Sequence, residues 1–318
     1  MSRPTISIVT PSFNQADFLE TTIRSVLEQE GRGSLFDLEY FVIDGGSTDE
    51  SAHIIQAYAP ELSGWCSEPD RGQTHAINKG MERCRGDILA YLNSDDYYLP
   101  GAFKRIVQAY HESPDCDLIH GICQKVDAAG RLLKEQISTI KELAQILDLW
   151  DVWLRRSDNR NFIQPELFWT RKLAQRVGLF NERLHYSMDY EYWLRAFDAG
   201  AKVITLREPL AAFRIHGAQK TSQRDKSILE LIEVTRPYLE RTDDSRIPIS
   251  HRTRLRSLNE LYKRMIETGS ASSLSKLRTL ASLATEHPRL VGSSHYWRFV
   301  RRSARAIFKG STANAQLF

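Results

Sequence analysis

Thr5-Ile6-Ser7-Ile8-Val9-Thr10 alternates apolar and polar positions and is rich in β-branched residues, the pattern of a strand. Pro11-Ser12-Phe13-Asn14 breaks it, and Phe18, Leu19, Ile23, Val26 and Leu27 then recur at helical spacing to about Gln29. A second strand is expected over 38–43, ending at Asp44-Gly45-Gly46. Ser47-x-x-Glu50 follows as a capping box for a helix carrying Ile54, Ile55 and Tyr58. The polar loop 65–73 leads into a helix over 75–84. Ile88 to Leu92 is a short apolar run suited to a strand buried on both faces, and it stops abruptly at Asn93-Ser94-Asp95-Asp96. Strand, helix, strand, helix in this order implies parallel strands joined by right-handed crossovers.

Beyond Pro100-Gly101 the pattern is mixed. Helices are expected over 103–110 and 140–150. Strands are expected over 117–126, 161–170 and 201–206, with Pro165 demanding an edge or a bulge. From Thr221 onward the periodicity is helical, over 228–239, 252–266, 274–284 and 296–309. The expected organisation is an α/β catalytic domain over 1–220 and a helical region over 221–318.

Charge sharpens that division. The net charge is only +3, yet 251–310 holds 13 Lys or Arg against Glu260, Glu267 and Glu286, a local excess of +10. An acidic body with a basic tail is the implied arrangement. No run of 18 apolar residues occurs, so no membrane span is expected. The chain passes from Met1-Ser2-Arg3-Pro4 straight into a strand, which predicts no signal peptide. Cys66, Cys84, Cys116 and Cys123 form no C-x-x-C pair and read as reduced thiols of a cytoplasmic protein.

The chemistry concentrates at strand ends. Asp44 closes the second strand and Asp95-Asp96 a later one, so two strand ends deliver acids to one sheet edge, where open α/β folds bind ligands. Adjacent carboxylates repel unless a cation sits beside them, and a hard divalent ion shared with nucleotide phosphates suits the pair. Asp70 and Arg71 stand where a loop meets a helix N-terminus, a position suited to an anion. Neither G-x-G-x-x-G after a strand nor G-x-x-x-x-G-K-[ST] is present, which excludes a dinucleotide Rossmann enzyme and a Walker-type ATPase. Trp150, Trp153 and Trp169 are candidates to stack on sugar rings, or core aromatics. Gln164-Pro165-Glu166 is expected to line the acceptor side.

Thr10-Pro11-Ser12-Phe13-Asn14, Val42-Ile43-Asp44-Gly45-Gly46-Ser47-Thr48-Asp49, Asp70-Arg71-Gly72-Gln73 with Asn78-Lys79-Gly80, and Leu92-Asn93-Ser94-Asp95-Asp96, in this order, resemble glycosyltransferase family 2. The resemblance covers about residues 4 to 216. It implies the glycosyltransferase A fold, a Rossmann-like, mostly parallel central sheet flanked by helices, here with a C-terminal helical extension. It implies a nucleotide-sugar site drawn from Thr10, Pro11, Asp44, Asp70, Arg71, Asn78, Lys79, Asn93 and Asp95. Asp96 would hold Mn²⁺ or Mg²⁺, and His216 is a candidate to complete the metal shell. Asn93 stands where many relatives have a third Asp.

In Ser187-Met188-Asp189-Tyr190-Glu191-Tyr192-Trp193-Leu194-Arg195 the resemblance makes Asp189 the catalytic base of an inverting transfer. Met188 replaces the first acid of the family's Glu-Asp pair. Glu191 has Arg195 as an i,i+4 partner, whereas Asp189 also reads as a helix-dipole acid. The implied activity moves a sugar from a nucleoside diphosphate donor, with UDP-sugar expected, to a glycan or lipid-linked glycan in cell-surface polysaccharide biosynthesis. Two alternatives stay open: a nucleotidyltransferase, and a catalytically impaired glycan- or nucleotide-binding protein. Nucleic acid is not an expected partner. The basic helix over 295–309, with Trp297, Val300, Ala304 and Ile307 on one face, is a candidate for peripheral contact with an anionic membrane, at its inner face. It is equally a candidate for docking on the catalytic body.

Overall fold

The computed structural model describes residues 3–154, 160–217 and 224–308. The chain divides into two compact units, one of residues 3–146 and 151–217, the other of residues 147–150 and 224–308. The expected boundary at 220/221 lies outside the described residues.

In the first unit β1 (Thr5–Ser12), α1 (Ala16–Leu27), β2 (Asp37–Asp44), α2 (Ser51–Tyr58), α3 (Gln73–Met81) and β4 (Ile88–Tyr91) follow as the sequence predicts, and the expected loop over 65–73 begins as a strand, β3 (Gly64–Ser67). They are followed by β5 (Tyr97–Tyr98), α4 (Ala102–Glu112), β6 (Leu118–Asp127), β7 (Leu132–Ile137), α5 (Leu143–Ile146), β8 (Phe168–Thr170), α6 (Arg171–Val177), α7 (Met188–Asp198) and β9 (Val203–Ile215). One sheet runs β3-β2-β1-β4-β8-β6-β9-β5, with β7 added on β6. The first four strands are mutually parallel. β8 is antiparallel to both β4 and β6, and β6 runs parallel to β9. Strand order reverses between β1 and β4, which makes their carboxyl ends the crevice where such sheets bind ligands.

Burial explains these choices. Ile6, Ile8, Val9, Ile88, Ala90 and Leu92 are inaccessible, the two-sided burial that parallel strands require. Gly80 in α3 sits directly over β1, and a Cβ there would overlap the Val9 side chain. The Asn78-Lys79-Gly80 segment is thus partly a packing device that lets helix approach sheet.

Several expected elements differ. The capping box does not form: Ser47 Oγ donates to Asp44 Oδ1 at 2.5 Å, α2 starts at Ser51, and Asp49 Oδ1 accepts the Ser51 N–H at 3.0 Å. The helix expected over 140–150 shrinks to α5 and a π-type turn at Leu149–Trp153. The strand expected over 161–170 is strand only at its end, because Gln164–Glu166 forms a 3₁₀ turn around Pro165. The last strand, expected over 201–206, runs thirteen residues from Val203 to Ile215.

The second unit contains α8 (Arg224–Glu240), α9 (Ile249–Glu267), α10 (Ser273–Glu286) and α11 (Ser294–Phe308). Residues 147–150 belong to it through Trp150, whose indole stacks on Tyr262 at 3.6 Å and donates to Asn259 Oδ1 at 2.9 Å. Among the described residues no helix is long and apolar enough to cross a membrane.

Candidate active site

β1, β2 and β4 end on the same edge of the sheet, and their loops are stitched together. Asn14 adopts a left-handed φ of 52°; its backbone N–H donates to Ser47 Oγ at 2.8 Å and its Oδ1 accepts the Thr48 N–H at 2.9 Å. Asp44 is fully buried. Oδ2 takes the Ser47 N–H at 2.9 Å and the Ser67 hydroxyl at 2.7 Å, so its carboxylate shapes the loop rather than standing open. Thr10 is also fully buried, with Oγ1 3.0 Å from the Tyr40 hydroxyl, and Pro11 is buried beside it. Phe13, 60% exposed, is the aromatic that β1 presents at this edge. Sequence reading passed over it as part of a strand break.

Asp70 reaches the same place because Gly45 has no side chain. A Cβ on Gly45 would lie 2.8 Å from Asp70 Oδ2, while Asp70 Oδ1 accepts the Gly72 N–H at 2.6 Å. Three other expected donor contacts are turned elsewhere. Asn78 is buried and uses both ends of its amide on residue 180, giving Nδ2 to the Phe180 carbonyl at 2.9 Å and taking its N–H at 3.0 Å. Lys79 is paired with Glu68, and Arg71 with Glu182 at 2.6 Å. Exposed pairs of this kind contribute only about 0–1 kcal/mol, so Arg71 exchanges partners at little cost, whereas buried Asn78 does not.

The β4 loop carries the acids. Asp96 is fully inaccessible; Oδ1 accepts the Arg214 N–H at 2.9 Å, and Oδ2 lies 3.5 Å from Asn93 Nδ2. Burial first, and the charge of Asp95 second, hold the Asp96 carboxyl well above the ordinary carboxylate range. Asp95 Oδ2 lies 3.0 Å from His216 Nε2, and the imidazole leans on Phe18 at 4.8 Å. β9 thus delivers Arg214, and the residue just after its end is His216. The Arg214 guanidinium donates to the Asp95 carbonyl at 2.9 Å and lies over the Phe18 and Tyr97 rings. Arg214 escaped sequence reading because it is more than a hundred residues from the loop it braces.

On the other flank, α7 places Asp189 in its first turn, where Oδ1 accepts the Tyr190 N–H at 2.7 Å. Glu191 is held by Arg195 through two contacts, at 2.8 and 2.9 Å. Tyr91 of β4 is 1% exposed. Burial pushes its phenol well above the ordinary value, and the charges of Asp189 and then Asp96 push it further. Both carboxylates therefore lie within electrostatic reach of one buried phenol. Tyr91 read simply as core, since nothing in an apolar run marks which residue ends it.

Asp95, Asp96 and His216 supply hard oxygen and imidazole donors, types that suit Mn²⁺ or Mg²⁺, and a divalent cation would relieve the disfavoured charge of Asp96. Among the described residues no three His, Cys, Asp or Glu side chains already converge on one point. A cation held by these donors would need further oxygens, which a bound diphosphate would supply.

The expected acceptor-side residues are corrected. Gln164 is buried, giving Nε2 to the Tyr91 carbonyl; Glu166 is fully buried, with Oε1 4.0 Å from His120 Nδ1. Of the tryptophans, Trp150 and Trp169 are core, and half-buried Trp153 packs edge-on against Tyr190 at 4.6 Å.

The sequence profile of glycosyl transferase family 2 matches residues 7–166. An uncharacterized glycosyltransferase of Mycobacterium tuberculosis is 41% identical over 109 residues, which are 34% of this chain and 40% of the relative, well under two thirds of its length. A PGL/p-HBAD biosynthesis glycosyltransferase of Mycobacterium bovis BCG is 25% identical over 240 residues, 74% of this chain and 86% of the relative. S. aureus TarS 1-349 in complex with UDP-GlcNAc superposes with a TM-score of 0.63 at 15% identity, over 96% of this chain and 92% of that one. Mannosyltransferase PcManGT from Pyrobaculum calidifontis, in complex with GDP-Man and Mn²⁺, gives 0.56 at 18% identity, over 96% and 86%. At such identities the structural likeness is one of fold.

Proposed function

We infer the reaction from one premise: the chain belongs to glycosyl transferase family 2 and has the glycosyltransferase A fold. A nucleotidyltransferase is thereby set aside. The reading is an inverting hexosyl transfer from a nucleoside diphosphate sugar to a hydroxyl of a glycan or lipid-linked glycan, in cell-surface polysaccharide biosynthesis. The observation that carries it is the β4 loop, where Asp96 is buried and Asp95 Oδ2 lies 3.0 Å from His216 Nε2 at the carboxyl end of the sheet. Asp189 as base and the Asp95–Asp96 loop as leaving-group site suit a single displacement. UDP as the nucleotide is supported by the UDP-GlcNAc complex of the TarS neighbour, and a polysaccharide or glycolipid role by the biosynthetic PGL/p-HBAD relative.

In this reading the donor diphosphate lies against the Asp95–Asp96 loop, with Phe13 and the Asp44 loop flanking the base and Arg71 within reach of the phosphates. Asp189 accepts the proton of the acceptor hydroxyl as its oxygen bonds to the anomeric carbon; the bond from that carbon to the diphosphate oxygen breaks on the opposite face. Asp96 and His216 would hold the divalent cation, which would supply charge neutralisation to the departing diphosphate. Arg214 and Thr22 keep the acid loop in place, Thr22 Oγ1 donating to the Asp96 carbonyl at 2.7 Å.

Asp189→Asn tests this. UDP affinity is expected to survive while transfer falls by about 10²–10⁴-fold. Transfer within a few-fold of wild type would move the base elsewhere, and Glu191, gripped by Arg195, is a poor substitute. No transfer or donor hydrolysis by the wild type over a panel of nucleotide sugars with Mn²⁺ would favour the impaired binding protein.

A further inference from the structure

α11 has two faces, divided differently from what its sequence suggests. His295, Tyr296, Phe299 and Ser303 are buried within the helical unit. His295 Nδ1 meets the Tyr262 hydroxyl at 2.8 Å, Tyr296 donates to the Leu280 carbonyl at 3.2 Å, and Phe299 packs edge-on against Tyr262 at 5.1 Å. The expected apolar face of Trp297, Val300, Ala304 and Ile307 is therefore not the one that packs. Trp297 lies on the outside, 43% exposed, beside exposed Arg298, Arg301 and Arg305. At about 100° per residue these four fall within an arc of roughly 100°. Lys309 lies outside the described residues.

Among the described residues no acid pairs with that stripe. Between 273 and 308 the one acidic residue is Glu286, and it is bound by Arg264 at 2.8 Å. Arg298, Arg301 and Arg305 form no ion pair among the described residues. Trp297 gives its Nε1–H to the Val291 carbonyl at 2.7 Å, which lays the indole beside exposed Val291 with its donor satisfied. An indole with no donor left to offer, an adjacent valine and three unpaired guanidinium groups match an anionic lipid surface: charge at the headgroups, rings and methyls at the acyl boundary. A polyanion without an apolar layer would leave Trp297 and Val291 unused.

We propose that the outer stripe of α11 is a contact site for anionic lipid headgroups. It rests on the proposed lipid-linked acceptor for its purpose, but the test reads binding without donor or acceptor. Co-sedimentation of the full chain with phosphatidylglycerol-containing vesicles is expected, with no sedimentation on pure phosphatidylcholine, and release at high salt. The triple variant R298E/R301E/R305E is expected to weaken vesicle binding by about fivefold per arginine, on the order of 100-fold together. Its melting temperature and UDP affinity should be unchanged, because the three side chains are exposed. Trp297→Ser should weaken binding without altering salt dependence. Absence of binding to anionic vesicles, equal binding to neutral ones, or wild-type binding by the triple variant overturns the proposal. Tighter binding of the same stripe to a duplex oligonucleotide than to vesicles also overturns it, in favour of nucleic acid. Failure here would leave the Asp189→Asn result, and so the transferase reading, untouched.

Discussion

Gln164 commits its amide nitrogen to the Tyr91 carbonyl, which turns its oxygen toward Asn93 Nδ2, 3.5 Å away. The same Asn93 nitrogen lies 3.5 Å from Asp96 Oδ2, and Asn93 Oδ1 accepts from Gln73 Nε2 at 2.7 Å. Two acceptors and one donor thus surround a side chain able to give and take, and only an amide serves all three. The departure from the family's third Asp is a wired feature of this site rather than a simple loss of charge. Asn93→Asp would face a carboxylate and a carbonyl with no proton to offer. An unmet contact of this kind costs about 1–3 kcal/mol, more beside a charge. Without metal at neutral pH the variant should melt several degrees lower, and Mn²⁺ should raise its melting temperature more than that of wild type. An unchanged melting temperature in chelator would mean the amide wiring is unimportant.

The 3₁₀ turn Gln164–Glu166 is the element on which this wiring hangs, and it holds a second, buried pair. Burial raises the Glu166 carboxyl well above its ordinary value and lowers His120 to about 4, so burial disfavours the charged form of each. The two shifts act in opposite directions. A carboxyl held up in the fold takes stability away as pH rises above its unfolded value near 4.5; a depressed imidazole takes it away as pH falls below 6.5. Glu166→Gln removes the first effect alone. Its melting temperature should exceed wild type at pH 8, with the gap closing toward pH 5; a gap independent of pH would mean Glu166 is not protonated in the fold. Here sequence reading reached its limit. Although both faces of β1 are buried, Ser7 and Thr10 included, the strands β1 and β4 were legible because β-branched and apolar residues crowd a short run bounded by turn signals. So were the acids at strand ends, since nothing apolar competes for that reading. Glu166 looked like an acceptor-side acid because its burial is set by β6 and β9 pairing around it, a non-local choice. Asn78 looked like a donor contact for the same reason: its partner is residue 180, from a distant loop.

Across the whole molecule, the division into two compact units gives each its own source of stability. Trp150 joins two helices of the second: it stacks on Tyr262 and donates to Asn259, whose Nδ2 in turn donates to Thr235 Oγ1 on α8 at 3.1 Å. Truncating such a tryptophan costs about 3–5 kcal/mol and leaves the Asn259 carbonyl oxygen short of a donor. In a unit of this size about 1 kcal/mol moves a melting temperature by roughly 4–8 °C, so Trp150→Ala should lower one unfolding transition by more than about 10 °C. In the proposed reading UDP with Mn²⁺ acts on the other unit, where the Asp96 loop lies; at a hundred times its dissociation constant it would add about 2.7 kcal/mol. Calorimetry of the variant with and without UDP and Mn²⁺ should therefore show two transitions, the substitution moving the lower and the ligand the upper. A single transition shifted by both would mean the units unfold as one. A ligand shift confined to the transition that Trp150→Ala lowers would take the nucleotide site away from the sheet edge.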